Sequence, residues 1–222
     1  SIAFHARLFA MDHAELLQLK GQVAIVTGGG AGIGRAIALA YAKAGADVVI
    51  ADSIPERCEE AAARVRELGR RALATPTDVT DITQIHATIA AADEQFGRID
   101  ILVNNAGGVA PKPFLQQSER SWRKLIDLNY FSVIAASQAA AQIMVREKRG
   151  GVILNVASIE GSRAAPNFAV YAGCKAAMLN FTAGPQNVAS ACRAAKVDVV
   201  LTSRTFVQKG HLEPIIAALE PL

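Results

Sequence analysis

A chain of 222 residues, 51% hydrophobic but only 5% aromatic, fits one domain with a sizeable aliphatic core. Its 23 basic and 20 acidic residues leave a net charge of +3 without runs of one sign, so the footprint of a nucleic-acid or anionic-membrane binder is missing. Cys58, Cys174 and Cys192 form no CxxC pair and no metal-ligand cluster, and no run of 18 apolar residues spans a bilayer; a soluble cytoplasmic protein without a metal is expected.

Met11 heads "MDHAELLQLKGQVAIVTGG" and reads as a natural start, which makes Ser1–Ala10 an upstream segment; residues 1–19 are expected to be an extension, disordered or helical. From Gln22 on, short β-branched runs alternate with longer Ala-rich amphipathic stretches. "QVAIVTG" is followed by "GRAIALAYAKAG", "DVVIADS" by "PERCEEAAARVRELG", "RALATPTDV" by "DITQIHATIAAADEQFG", and "IDILVNNAG" by "SERSWRKLIDLNYFSVIAASQAAAQIMVRE". The strand candidates are nearly continuous in apolar residues, as strands covered on both faces are. Strand then helix, repeated, predicts a doubly wound parallel α/β sheet over residues 20–182. "GGVILNVAS" adds a fifth strand and "AVYAGCKAAMLNFT" a further helix. Residues 183–222 form an atypical tail, in which "PQNVASACRAAK" reads as a short helix, "VDVVLTSR" as a strand of the same sheet and "HLEPIIAALEPL" as a short helix broken by Pro214.

"VAIVTGGGAGIGRAIA" sets Gly28, Gly32 and Gly34 between the first strand and the first helix. A Cβ there would keep the backbone off a pyrophosphate, whose charge the free N–H groups and positive end of the helix favour. Strand before and helix after are the context such a loop requires. Asp52 ends the second strand, where a carboxylate can accept the two hydroxyls of an adenosine ribose and would repel a 2′-phosphate, which favours NAD over NADP. The ordinary alternative is that Asp52 or Ser53 caps the helix starting near Ile54. Asp78 ends the third strand and either touches the adenine edge or caps the helix that begins near Asp81, while Arg35 lies inside the first helix.

Ser158 ends the fifth strand, Tyr171 follows, and Lys175 stands four residues past Tyr171, on the same helix face. An ammonium beside a phenol favours phenolate, whose unperturbed pKa is about 10, and makes the tyrosine usable as an acid or base near neutrality. A serine hydroxyl at the strand end can donate to a substrate oxygen as charge develops there. Chance spacing on a helix and a plain strand-ending serine are the competing readings.

Together, "TGGGAGIG", "NNAG", "DLN", Ser158 and Tyr171-x-x-x-Lys175 resemble the classical short-chain dehydrogenases/reductases in order and spacing, over roughly Lys20–Thr182. The resemblance implies a Rossmann domain and reversible hydride transfer between a nicotinamide and a carbonyl or secondary alcohol. It makes Tyr171 the proton donor or acceptor, Ser158 the oxygen positioner, Lys175 a ligand of the nicotinamide ribose and Asn129 the holder of a proton-relay water. Asn104, Asn105, Ala106 and Gly107 would shape the cofactor cleft, lined also by Ile33 and Val79. "NNAGGVAPKPF" is similar to bacterial 7α-hydroxysteroid dehydrogenases, and the whole stretch to 3-oxoacyl-carrier-protein reductases.

The family pattern stops short at the tail. Gly184-Pro185 is expected to end or kink the helix of Tyr171 before its third turn is complete, since an interior proline costs about 3 kcal/mol. "VDVVLTSRTF" lacks the Pro-Gly that precedes a substrate lid in that family. From about Phe181 the chain is similar to an internal piece of adenylate-forming acyl-CoA or acyl-carrier-protein synthetases, without their phosphate loop, which implies a fusion and no adenylation. Two readings stand: an active dehydrogenase of small alcohols or ketones, or a truncated or fused nucleotide binder with weak catalysis. A homodimer fits both; the shortened helix argues against a tetramer.

Overall fold

The computed structural model describes residues 18–183 and 197–203. Residues 1–17 of the expected extension, Gly184-Pro185, Cys192 and both expected tail helices lie outside the described residues.

Six strands form one parallel sheet: β1 (Val23–Thr27), β2 (Asp47–Asp52), β3 (Ala72–Pro76), β4 (Ile101–Asn104), β5 (Gly151–Ala157) and β6 (Val197–Ser203), in the spatial order β3-β2-β1-β4-β5-β6. The helices between them are α1 (Gly32–Lys43), α2 (Pro55–Glu67), α3 (Ile82–Phe96), α4 (Glu119–Ile126), α5 (Ser132–Glu147) and α6 (Ala169–Ala183). The doubly wound α/β fold read from the alternation is present, and "VDVVLTS" does join the sheet, beside β5. Chain order reverses between β1 and β4, so their carboxyl ends diverge into a crevice, the usual ligand position in such sheets.

Period-2 side-chain alternation sorts the strand residues onto two faces. Val23, Ile25, Val49, Leu102 and Ile153 pack with Ile85 and Ile89 of α3 and Ala136, Ala140 and Met144 of α5. Ala24, Val26, Val48, Ile50 and Val103 pack on the other face with Ala38 and Ala42 of α1 and Ala61, Ala62 and Val65 of α2. The alanine stripes let helices lie close to the sheet, which accounts for a core with so few aromatics.

Local signals set most helix ends. Pro55 opens α2, Asp81 accepts from Thr83 N–H at the start of α3, Gly97 (φ 70°) closes α3, and Ser118 accepts from Ser121 N–H before α4. Two elements differ from the reading above. The expected single helix from Ser118 to Glu147 is interrupted by a π-turn, Asp127–Phe131, between α4 and α5. The cause is Asn129, buried within the turn, whose amide donates to Leu125 O and Gly108 O, both at 2.9 Å, and so widens the turn. The helix carrying Tyr171 begins at Ala169 and has 15 residues, about four turns.

Asp47 opens β2 with a buried side chain. Burial by itself would raise its carboxyl, but Arg71, donating from N–H (3.0 Å) and Nε (2.8 Å), and Arg70, donating from Nη2 (2.9 Å), hold it below the usual carboxylate range. A depressed native pKa stabilises the fold above the unfolded value of about 3.9, and this is lost as pH falls through the native value. Asp47→Asn is therefore expected to cost about 1–3 kcal/mol in urea unfolding at pH 7, with the gap to wild type closing below about pH 4.

Candidate active site

The β1–α1 loop lies at the crevice. Gly28 (φ 62°) and Gly32 (φ 53°) are left-handed, a conformation that favours glycine. Gly34 has a different reason: a Cβ there would collide with the Gly28 carbonyl. The N-cap of α1 is Ala31, which offers no side-chain cap, and no acid stands in the first turn. The first N–H groups of α1 thus remain available to an anion.

Thr27, the first residue of "TGGGAGIG" but given no role of its own there, organises this loop. Its hydroxyl donates to Val103 O (3.2 Å) and accepts from Asn105 N–H and Ala106 N–H, each at 3.0 Å. Asn105 returns its amide to Thr27 O (2.9 Å) and Gly28 O (3.2 Å). The ends of β1 and β4 are stitched together under the glycines, leaving a cleft of about 380 Å³. Gly28, Gly32, Ile33, Gly34, Asp52, Ser53, Asp78, Val79, Asn105, Ala106 and Gly107 all line it, with Arg57, Thr77 and Leu128 added by the tertiary structure.

Asn104 does not belong to this lining. Its Nδ2 donates to Ser137 Oγ (3.0 Å) and to Asn155 Oδ1 (2.8 Å), so it joins β4, β5 and α5 inside the protein, because the pleat turns it away from its neighbour Asn105. Asp52 is tied to the backbone on two sides. Oδ2 accepts from Gly30 N–H and Oδ1 from Ile54 N–H, each at 3.1 Å, so the carboxylate braces the glycine loop and the entry to α2 while forming part of the cleft wall. Asp78 lines the cleft and accepts from Thr80 N–H (2.9 Å), whereas Asp81 caps α3. Arg57, exposed in the first turn of α2, reaches the same wall: a Cβ on Gly30 would meet both Arg57 and Asp52. No sequence signal marks Arg57, since its position depends on how α2 leaves β2.

Beyond Gly107 stand the residues of the chemical end. A Cβ on Gly107 would lie 2.9 Å from Asn129 Oδ1 and 3.5 Å from Lys175 Nζ, so the absence of a side chain there lets the loop, Asn129 and Lys175 meet. Lys175 is only 3% exposed; its Nζ donates to Val156 O at 3.0 Å and lies 5.8 Å from the centre of the Tyr171 ring. Tyr171 is 8% exposed and stands edge-on to Phe168, with ring centres 6.1 Å apart. Ser158 follows β5, with its Oγ accepting from Glu160 N–H at 3.3 Å. Gly161, also unmarked by any motif, lies against α6, where a Cβ would come within 2.9 Å of the Lys175 carbonyl oxygen. Cys58 and Cys174 are buried free thiols, both raised above the ordinary range by burial.

The arrangement is a glycine loop at an uncapped helix start, a cleft wall carrying a carboxylate, and a phenol beside a buried amine. A family model for short chain dehydrogenases matches residues 22–213, a stretch that runs through β6. The chain belongs to the short-chain dehydrogenase family. It is 39% identical over 167 residues to the 7α-hydroxysteroid dehydrogenase of Escherichia coli strain K12, covering 75% of this chain and 65% of the relative's length. It is 36% identical over 201 residues to the galactitol 2-dehydrogenase of Agrobacterium fabrum, covering 90% of this chain and 76% of that one. Among solved structures, a 7α-hydroxysteroid dehydrogenase complexed with NADH and 7-oxo glycochenodeoxycholic acid superposes with a TM-score of 0.80 at 36% identity, over 86% of this chain and 73% of that chain. As in other short-chain dehydrogenases, a parallel α/β sheet presents the site. Among the described residues, no helix is long and apolar enough to cross a membrane.

The glycines give a test of the loop. Gly34→Ala, which forces a carbonyl aside, is expected to cost about 1–3 kcal/mol by chemical denaturation and to abolish calorimetric binding of a nicotinamide dinucleotide. Gly32→Asn, where a Cβ meets nothing of the protein within 4 Å and only φ is restrictive, is expected to keep stability within about 1 kcal/mol while weakening the dinucleotide, because its side chain faces the loop's ligand side.

Proposed function

We propose that this short-chain dehydrogenase uses NAD to interconvert a secondary alcohol and a ketone of hydroxysteroid or 3-oxoacyl type. The observation that carries the reading is the buried Lys175 amine, bonded to Val156 O and held beside the Tyr171 ring, with Lys175 and Asn129 both lying against Gly107. The cleft fits a dinucleotide: the uncapped start of α1 and the side-chain-free face of the glycine loop suit a pyrophosphate, and Asp52 suits the adenosine ribose. When bound, the nicotinamide supplies the hydride acceptor or donor.

The chain's own residues do the rest. Tyr171 exchanges a proton with the substrate oxygen as the C–H bond breaks or forms, and Ser158 Oγ donates to that oxygen and holds it. Lys175 holds the ribose hydroxyls beside the ring. Asn129, closed by Gly108 and Leu125, keeps a water in register with Lys175. Asp52 favours NAD by accepting two ribose hydroxyls and repelling a 2′-phosphate. Support for the substrate class comes from similarity to the steroid dehydrogenase; the galactitol relative keeps polyols in the test panel. A homodimer that pairs the helices near Ser121 to Arg146 and Tyr171 to Thr182 fits the same reading.

A panel of hydroxysteroids, 3-hydroxyacyl thioesters and polyols with NAD, followed at the absorbance of the reduced cofactor, tests it. Tyr171→Phe is expected to lower kcat about 100-fold to 10,000-fold with NAD still bound. Binding of NAD without turnover of any class would leave a nucleotide binder instead. Asp52→Ala is expected to weaken NAD about tenfold to a hundredfold by calorimetry and to narrow its advantage over NADP.

A further inference from the structure

The loop after β4 runs from the cleft floor to the approach of α6, and asparagines on other elements hold it at both ends. At the near end, Asn129 Oδ1 accepts from Gly108 N–H (3.0 Å) and its Nδ2 donates to Gly108 O (2.9 Å). At the far end, Lys112 N–H donates to the backbone carbonyl of Asn167 (3.1 Å), while Lys112 O accepts from Gln117 Nε2 (2.9 Å). Asn129 acts through its side chain. Asn167 acts through its backbone.

Asn167 has φ 72°, and the other non-glycine residue at positive φ among the described residues is Lys148, which closes α5 and so sits where this conformation is common. Asn167 closes no helix. It stands exposed, four residues before Tyr171, at the third position of the turn Ala165-Pro166-Asn167-Phe168, where a left-handed residue is required and asparagine takes that conformation readily. Hydrogen bonds fix the turn on both sides. Ala165 N–H donates to Glu160 Oε2, Phe168 N–H donates to Ala165 O (3.3 Å), and Ala172 N–H donates to Phe168 O (2.7 Å) to begin α6. The same segment bears on α6 through Gly161 at Lys175. Returning Asn167 to negative φ would swing its carbonyl off Lys112 and re-aim Phe168, against which the Tyr171 ring stands.

We propose that Asn167 is a positioning residue: its left-handed backbone latches the loop Gly107–Pro113 to the first turn of α6 and thereby sets where the Tyr171 ring stands relative to Lys175 and the cleft. This rests on the dehydrogenase reading for its kinetic consequence, but the latch itself is a property of the backbone. The requirement is for φ, not for the amide, so glycine satisfies it and a β-branched residue does not.

The full chain carrying Asn167→Val is compared with Asn167→Gly and wild type. Asn167→Val is expected to lower kcat about tenfold to a hundredfold on a responsive alcohol, because misplacing the phenol costs rate. Its NAD dissociation constant, measured by calorimetry, is expected to stay unchanged, and its Lys112 amide to exchange with solvent about tenfold faster. Asn167→Gly is expected to restore kcat and Lys112 protection to within about threefold of wild type. Wild-type kcat in Asn167→Val, or equal impairment in the two variants, overturns the proposal. If wild type turns over no alcohol, the dehydrogenase reading fails by itself; the latch is then upheld by slower Lys112 exchange in wild type than in Asn167→Val, and overturned by equal rates.

Discussion

The ammonium of Lys175 is almost wholly out of water, and its bond to the Val156 carbonyl ties the helix that bears Tyr171 to the strand that leads into Ser158. A buried charge is tolerated only where polar partners surround it, and each partner here is also a structural part. Val156 belongs to the last turn of the pleat before Ser158. Asn129 owes its place to a widened helical turn. Gly107 owes its value to having no side chain. Moving any of them would leave the amine in a worse environment, so the charge acts as a constraint that aligns β5, α6, the π-turn and the loop after β4.

The other end of the crevice obeys a different constraint, close approach of backbones. Thr27 and Asn105 draw the ends of β1 and β4 together, and Gly34 permits α1 to begin directly over the Gly28 carbonyl. Asp52 is held by two backbone N–H groups, so its carboxylate is fixed in direction before any ligand arrives. With Arg57 on the same wall, this side of the cleft presents both signs of charge within one short stretch of chain. This end therefore rests largely on main-chain geometry, while the end at Tyr171 and Lys175 rests on side chains.

Much of this was legible from residues alone. The alternation of apolar strands and alanine-striped helices specified a parallel doubly wound sheet, because burial on both faces leaves no other pattern. The glycine loop, Asp52, Ser158, Tyr171 and Lys175 declared themselves by type and spacing. Less legible were features that exist only when distant segments meet. Asn104 and Asn105 are neighbours in one motif, yet one is spent inside the core and the other supports the cleft, a division decided by the pleat. Arg57 and Gly161 carry no local signature at all, and Thr27 stands in the glycine motif without its bonding role being visible there. The helix through "WRKLIDLNYFS" has uninterrupted helical periodicity, and its widened turn follows from a bond between Asn129 and a glycine 21 residues earlier.

By itself the sequence determined which elements form, the order in which they alternate, and which residue types are available for proton transfer and phosphate contact, because hydrophobic periodicity and backbone conformational preference are local. Only the tertiary structure decided that β6 pairs with β5, that the amine of residue 175 and the amide of residue 129 both lie against Gly107, and that the Asn167 carbonyl is bound to Lys112 N–H. Those outcomes depend on hydrogen bonds and steric contacts between segments far apart in the chain, whose direction no local pattern encodes.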